Sequence, residues 1–206
     1  MELSMPRSFV DEADLRFMIH VFAQQAEDSL ISSSFCNLLL AVCERNADAA
    51  DMLAGMVSLL ELLTAVLQAH CDDHQLLASV ARILNMVVLS AACDIEALAR
   101  TGVIRLLLLT LSRHVGHSSV VAPLCLALGT VWTKFSHLRA EICQASDLII
   151  LSDVLKNHMD DVVAIYNVLV LIGYFMDIDG GCEALVSAQA LPAIKSVMIC
   201  HFQRSY

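Results

Sequence analysis

Residues able to do chemistry are concentrated in three places. His70-Cys71-Asp72-Asp73-His74 gathers metal-ligand types in five positions, and His114 with His117 forms an H-x-x-H. Zinc is held by such side chains, but a zinc site spelled out in sequence needs a second pair at matching spacing, and neither motif has one, so both are read as polar turns. Asp177-Ile178-Asp179-Gly180-Gly181 starts like a calcium loop, yet Cys182 stands where that loop needs its turning glycine and Ala188 where it needs a bidentate Glu. A glycine pair ending a helix is the better account. No glycine-rich phosphate cradle, no G-x-S-x-G and no cysteine with recognisable His and Asn partners is present. The expectation is therefore no enzyme, no cofactor and no metal.

The eight cysteines form no C-x-x-C pair, and most stand in apolar runs, Cys125 between Leu124 and Leu126 for example. There a free thiol acts as a small hydrophobe, which suits a reducing, cytoplasmic compartment. Residues 1–10 lack a basic start followed by an apolar stretch, so no secretory signal is expected. Of the net charge of -10, all falls in residues 1–99, with 14 acidic and 4 basic residues, while residues 100–206 carry 8 of each. That acidic half repels phosphates, so no nucleic acid is expected as a partner.

Positioning these residues requires elements that hide much apolar surface. Hydrophobic residues make up 58% of the chain, charged residues 17%, and mean hydropathy is +0.69, so segments must be covered on more than one face. Seven Gly and three Pro in 206 residues favour helices over a many-turned sheet. A transmembrane reading fails on length: the uncharged run Val115–Thr133 opens on Gly116, His117, Ser118 and Ser119, and too few apolar residues remain of the roughly 20 needed.

Met56, Leu59, Leu60, Leu63 and Leu67 form an amphipathic helical stripe, and a longer, nearly uncharged helix follows from about Gln75 to Ala92. The couplet recurs from Gly102 to Phe135 and from Asp147 to Met176, each time preceded by a short piece: Asp48–Leu53, Ile95–Ala99, Leu138–Cys143 and Cys182–Ser187. Starts at Gly55, Gly102, Asp147 and Ala190 set a period of 43 to 47 residues, which is that of armadillo and HEAT solenoids.

The chain resembles the armadillo-repeat family. The likeness is carried by Ala99-Arg100-Thr101-Gly102-Val103-Ile104, by Ala188-Gln189-Ala190-Leu191-Pro192-Ala193-Ile194 and by Ala81-Arg82-Ile83-Leu84-Asn85-Met86. It implies an all-α fold: a right-handed α-solenoid of about four three-helix repeats plus a partial C-terminal one. Residues 1–10 form a tail and residues 11–206 a single domain, with HEAT-like repeats as the alternative. It also implies a protein-binding scaffold or adaptor whose long third helices line a groove for other chains or peptides. The family's Trp-and-Asn array is missing, since Ala81 and Val163 precede Asn85 and Asn167 by four residues and Ser136 follows Trp132. Asn85 and Asn167 remain candidates to hold a partner's backbone. Trp132, Lys134 and Arg139 are candidate interface anchors by residue type. The last unit lacks a covering helix, which makes Ile194, Val197, Met198 and Phe202 a candidate apolar end surface for a second copy or another subunit, unless they fold back on Val170 and Phe175. A constitutive subunit of a cytoskeletal or ciliary assembly is the alternative function, and a membrane-associated helical protein the third.

Overall fold

Apolar residues at helical spacing between well-capped turns give twelve helices among the described residues of this computed structural model, residues 10–135, 145–177 and 179–204. They are α1 (Glu12–Ala23), α2 (Ser29–Arg45), α3 (Ala47–Ala54), α4 (Val57–Ala69), α5 (His74–Leu89), α6 (Ile95–Arg100), α7 (Val103–Arg113) and α8 (Ser118–Lys134), then α9 (Ala145–Asn157), α10 (Val162–Met176), α11 (Gly181–Ser187) and α12 (Ala190–Arg204). The described residues contain no strand, as the all-α expectation requires. Short helices α3, α6 and α11 fall where the sequence places them; Leu138–Cys143 lies outside the described residues.

Two series of helices pack in chain order. The long helices α2, α5, α8 and α10 each lie on the next, and the medium helices α1, α4, α7, α9 and α12 do the same. This stacking answers the composition. α5 buries Leu77, Val80, Ile83, Leu84, Val87 and Val88, and α8 buries Val120, Val121, Leu124, Cys125, Leu128, Val131 and Trp132, so both helices are covered on opposite sides. Burying one such side chain contributes about 1.5–3 kcal/mol. No single helix among the described residues is long and apolar enough to cross a membrane.

Capping repeats with the same period. Asp28, Asp73 and Asp161 precede the long helices α2, α5 and α10, and each carboxylate accepts from a backbone N–H of the first turn. Such a cap contributes about 1 kcal/mol. The equivalent position before α8 is His117, whose side chain makes no capping bond. Glycine is needed for space at one turn: a Cβ on Gly181 would lie 1.7 Å from the Phe175 carbonyl oxygen. The Gly pair thus brings α11 hard against the end of α10, but it opens α11 rather than ending a helix as expected: α10 is capped by Asp177, whereas Gly180, in the left-handed region, is the N-cap of α11 and Gly181 its first residue.

A second periodic device ties the units together. His70 follows α4 and its Nε2 donates to the carbonyl of Ala26 at 2.7 Å. His114, after α7, bonds Cys71 O at 2.6 Å; His158, after α9, bonds Val115 O at 2.6 Å; and His201, on α12, bonds Met159 O at 3.0 Å. Each acceptor is a carbonyl in the turn that precedes a long helix one unit earlier. A carbonyl cannot donate, so Nε2 carries the hydrogen in all four rings.

Candidate binding groove and a histidine cluster

Across the row of long helices, α5, α8 and α10 leave a groove of about 520 Å³, lined by Leu89 from α5, Leu126, Gly129, Thr130, Thr133 and Lys134 from α8, and Tyr166, Asn167, Val170 and Tyr174 from α10. Its walls combine exposed apolar side chains with a few polar groups. Leu89, Leu126 and Tyr166 are 63%, 43% and 67% exposed.

The polar groups are cross-linked along the groove. Thr130 Oγ1 donates to Asn85 Oδ1 at 2.6 Å, joining α8 to α5, and the Thr133 and Tyr174 hydroxyls meet at 2.6 Å, joining α8 to α10. Lys134 Nζ donates to the carbonyls of Val88 and Ser90, where α5 ends. A cation at carbonyls of a helix end complements the helix dipole, so Lys134 holds the two helix ends together while it borders the groove. Asn167 differs from Asn85. Its side chain is largely buried but lines the groove, and its amide, open to that groove, makes no hydrogen bond among the described residues.

The remaining expected positions separate clearly. Trp132 is inside the core, its ring edge-on to Phe175 at 5.3 Å, and offers no surface to a partner, contrary to the anchor role expected from its type. The large apolar ring is worth more between α8 and α10 than on a surface. Arg139 and the side chain of Phe202 lie outside the described residues. Val197 is buried and Ile194 half-buried, so this part of the end surface is covered by packing of α12 on α9 and α11. Met198 is 60% exposed and, with Leu191 and Ile199, keeps an apolar strip on the outer side of α12.

Folding also unites the two histidine motifs that read as separate polar turns. His74 begins α5, His114 follows α7 and His117 precedes α8, and one ring nitrogen from each lies within 4.8 Å of the others. The His74 ring is 4.0 Å from that of His117 and 4.8 Å from that of His114, centroid to centroid. His114 is buried, His74 half-buried and His117 exposed. Sequence spacing hid this trio because its members come from successive turns of the stack. The recurrence of histidine at 70, 114, 158 and 201 was the available signal that these turns are adjacent.

The seven described cysteines are free. Burial pushes the Cys36 thiol up to about 12 and, with the Glu44 carboxylate adding to it, that of Cys43 up to about 11; burial also raises Cys125 strongly. Thiols held protonated in this way are poor nucleophiles. No family model matches this chain, and neither a curated protein nor a solved structure matches it.

Proposed function

We propose that the chain is a non-enzymatic protein-binding scaffold or adaptor, a right-handed solenoid of armadillo type that takes an extended peptide segment of another protein along the α5–α8–α10 groove. The observation that carries this reading is Asn167: a largely buried side chain whose amide has no hydrogen-bond partner among the described residues and opens into a groove lined also by exposed Tyr166, Leu126 and Leu89. An amide open to the groove offers both a donor and an acceptor, the pair that a peptide backbone matches. Apolar walls with few polar groups are the common composition of a binding cleft.

Selection of peptides from a displayed library against the full chain tests the reading. Selected peptides are expected to lose at least tenfold in affinity to Asn167→Leu and Tyr166→Ala, and to be unaffected by Leu109→Ala on α7, outside the groove. Peptides that bind all three variants as they bind the parent chain would refute it. The exposed strip Leu191, Met198 and Ile199 favours a second reading, a constitutive subunit of a larger assembly joined through its C-terminal end. Sedimentation of the chain with and without Met198→Asp decides that question.

A further inference from the structure

We infer that His74, His114 and His117 form a binding site for a zinc-type divalent metal ion. Three observations meet here. One ring nitrogen of each histidine lies within 4.8 Å of the other two. Tetrahedral zinc with Zn–N bonds of roughly 2.0–2.1 Å needs nitrogens about 3.4 Å apart, so the widest pair closes by roughly 1.5 Å, within reach of small side-chain rotations.

The second observation is the orientation of His114. Its Nε2–H is committed to the Cys71 carbonyl at 2.6 Å, which leaves the Nδ1 lone pair as its coordinating atom. A ligating histidine characteristically gives its other N–H to a carbonyl or carboxylate, which fixes the tautomer and the ring plane before the ion arrives. The ring is buried, so His114 is held in place while the half-buried His74 and exposed His117 are the ones that turn towards the ion.

The third is internal comparison of the units. At the cap before each long helix the chain has Asp28, Asp73 and Asp161, all bonded to their helices, but before α8 it has His117, whose side chain caps nothing and lies against His74 instead. A cap has been given up at the one turn where a third imidazole completes a cluster. His74 is likewise the first residue of its helix, where α2, α8 and α10 carry Ser29, Ser118 and Val162. Imidazole ligands without carboxylates select zinc, copper, nickel or cobalt over magnesium and calcium. With three protein ligands and His117 exposed, the fourth coordination position faces water. The ion joins the start of α5 to the turn between α7 and α8, adding a bond between successive units at the place where the cap is missing.

Metal-stripped full-length chain titrated with zinc chloride, followed by calorimetry and thermal unfolding, tests this. One ion per chain is expected, with a rise in melting temperature that magnesium does not reproduce; cobalt in place of zinc reports tetrahedral nitrogen coordination by its visible absorption. His74→Gln and His117→Ser should each weaken zinc binding by about 100-fold or more, since loss of even an outer partner of a ligand costs 10- to 100-fold. Serine restores a capping residue, so metal-free His117→Ser is expected to melt no lower than the parent, which separates loss of the site from loss of the fold. Exposed His20→Asn should leave binding unchanged. Absence of any zinc-dependent shift in the parent chain, or a shift that persists in His74→Gln and His117→Ser, would overturn the assignment.

Discussion

Replacing His158 by leucine tests whether the histidine bonds between units contribute to stability or merely accompany packing. His158 is 8% exposed, and its Nε2 donates to Val115 O at 2.6 Å across 43 residues of sequence. Leucine has a similar bulk but no donor, so the substitution leaves the Val115 carbonyl without that bond in a half-buried turn. Removing one partner of such a bond costs about 1–3 kcal/mol, because the remaining group keeps its desolvation penalty. Extra apolar contact from leucine offsets part of this, which places the net loss near 2 kcal/mol. For a chain of 150–250 residues each kcal/mol lowers the melting temperature by about 2–4 °C, so a fall of roughly 4–8 °C is expected. Urea unfolding followed by circular dichroism should show a lower midpoint with an unchanged slope. His20→Leu is the control: His20 is exposed and shares only a 3.4 Å contact with Gln24, so its effect should stay within about 0.5 kcal/mol. A His158→Leu variant as stable as that control would refute the reasoning, and the four histidine bonds would then be consequences of the stacking rather than contributors to it.

Leu128→Ala empties a fully buried site on α8 between its neighbours, with an expected loss of about 2–5 kcal/mol by denaturant unfolding. Gly181→Ala forces a Cβ into the Phe175 carbonyl and should separate α11 from α10, seen as faster amide hydrogen exchange in residues 179–187. Alkylation at neutral pH should reach exposed Cys182 well before Cys36, Cys43 and Cys125, which react only on unfolding; equal rates would contradict the burial. The same thiols set an alkaline limit. Cys36 keeps its proton to about 12 when folded but loses it near 9.0 when unfolded, so its contribution is intact below pH 9 and is lost as pH rises from 9 towards 12, measurable as a falling melting temperature over that window.

Periodicity made the helix succession legible, because stacked units repeat both their apolar stripes and their breaks. The stripe Met56, Leu59, Leu60, Leu63 and Leu67 is the buried face of α4 and of the residue that precedes it, and the long helices begin within a few residues of the starts read from the polar breaks. The candidate groove was half visible. Asn85 and Asn167 look equivalent in sequence, and only the bond from Thr130 to Asn85 distinguishes the amide tied to a neighbouring helix from the one left open to the groove. Trp132 misled because its residue type is common at interfaces, whereas its neighbour across the helix pair, Phe175, lies 43 positions away and cannot be read from local spacing. The histidine trio was invisible for the same reason: ligand-spacing rules assume that one turn supplies the pair, and here two turns share the work.

The acceptors of the four histidine bonds belong to an alanine, a cysteine, a valine and a methionine. Since each offers only its main-chain carbonyl, the side chain at that position plays no part in keeping neighbouring units aligned. Turn sequences are thereby free to diverge while their backbones stay registered, and new chemistry can be written into one turn without rewriting the next.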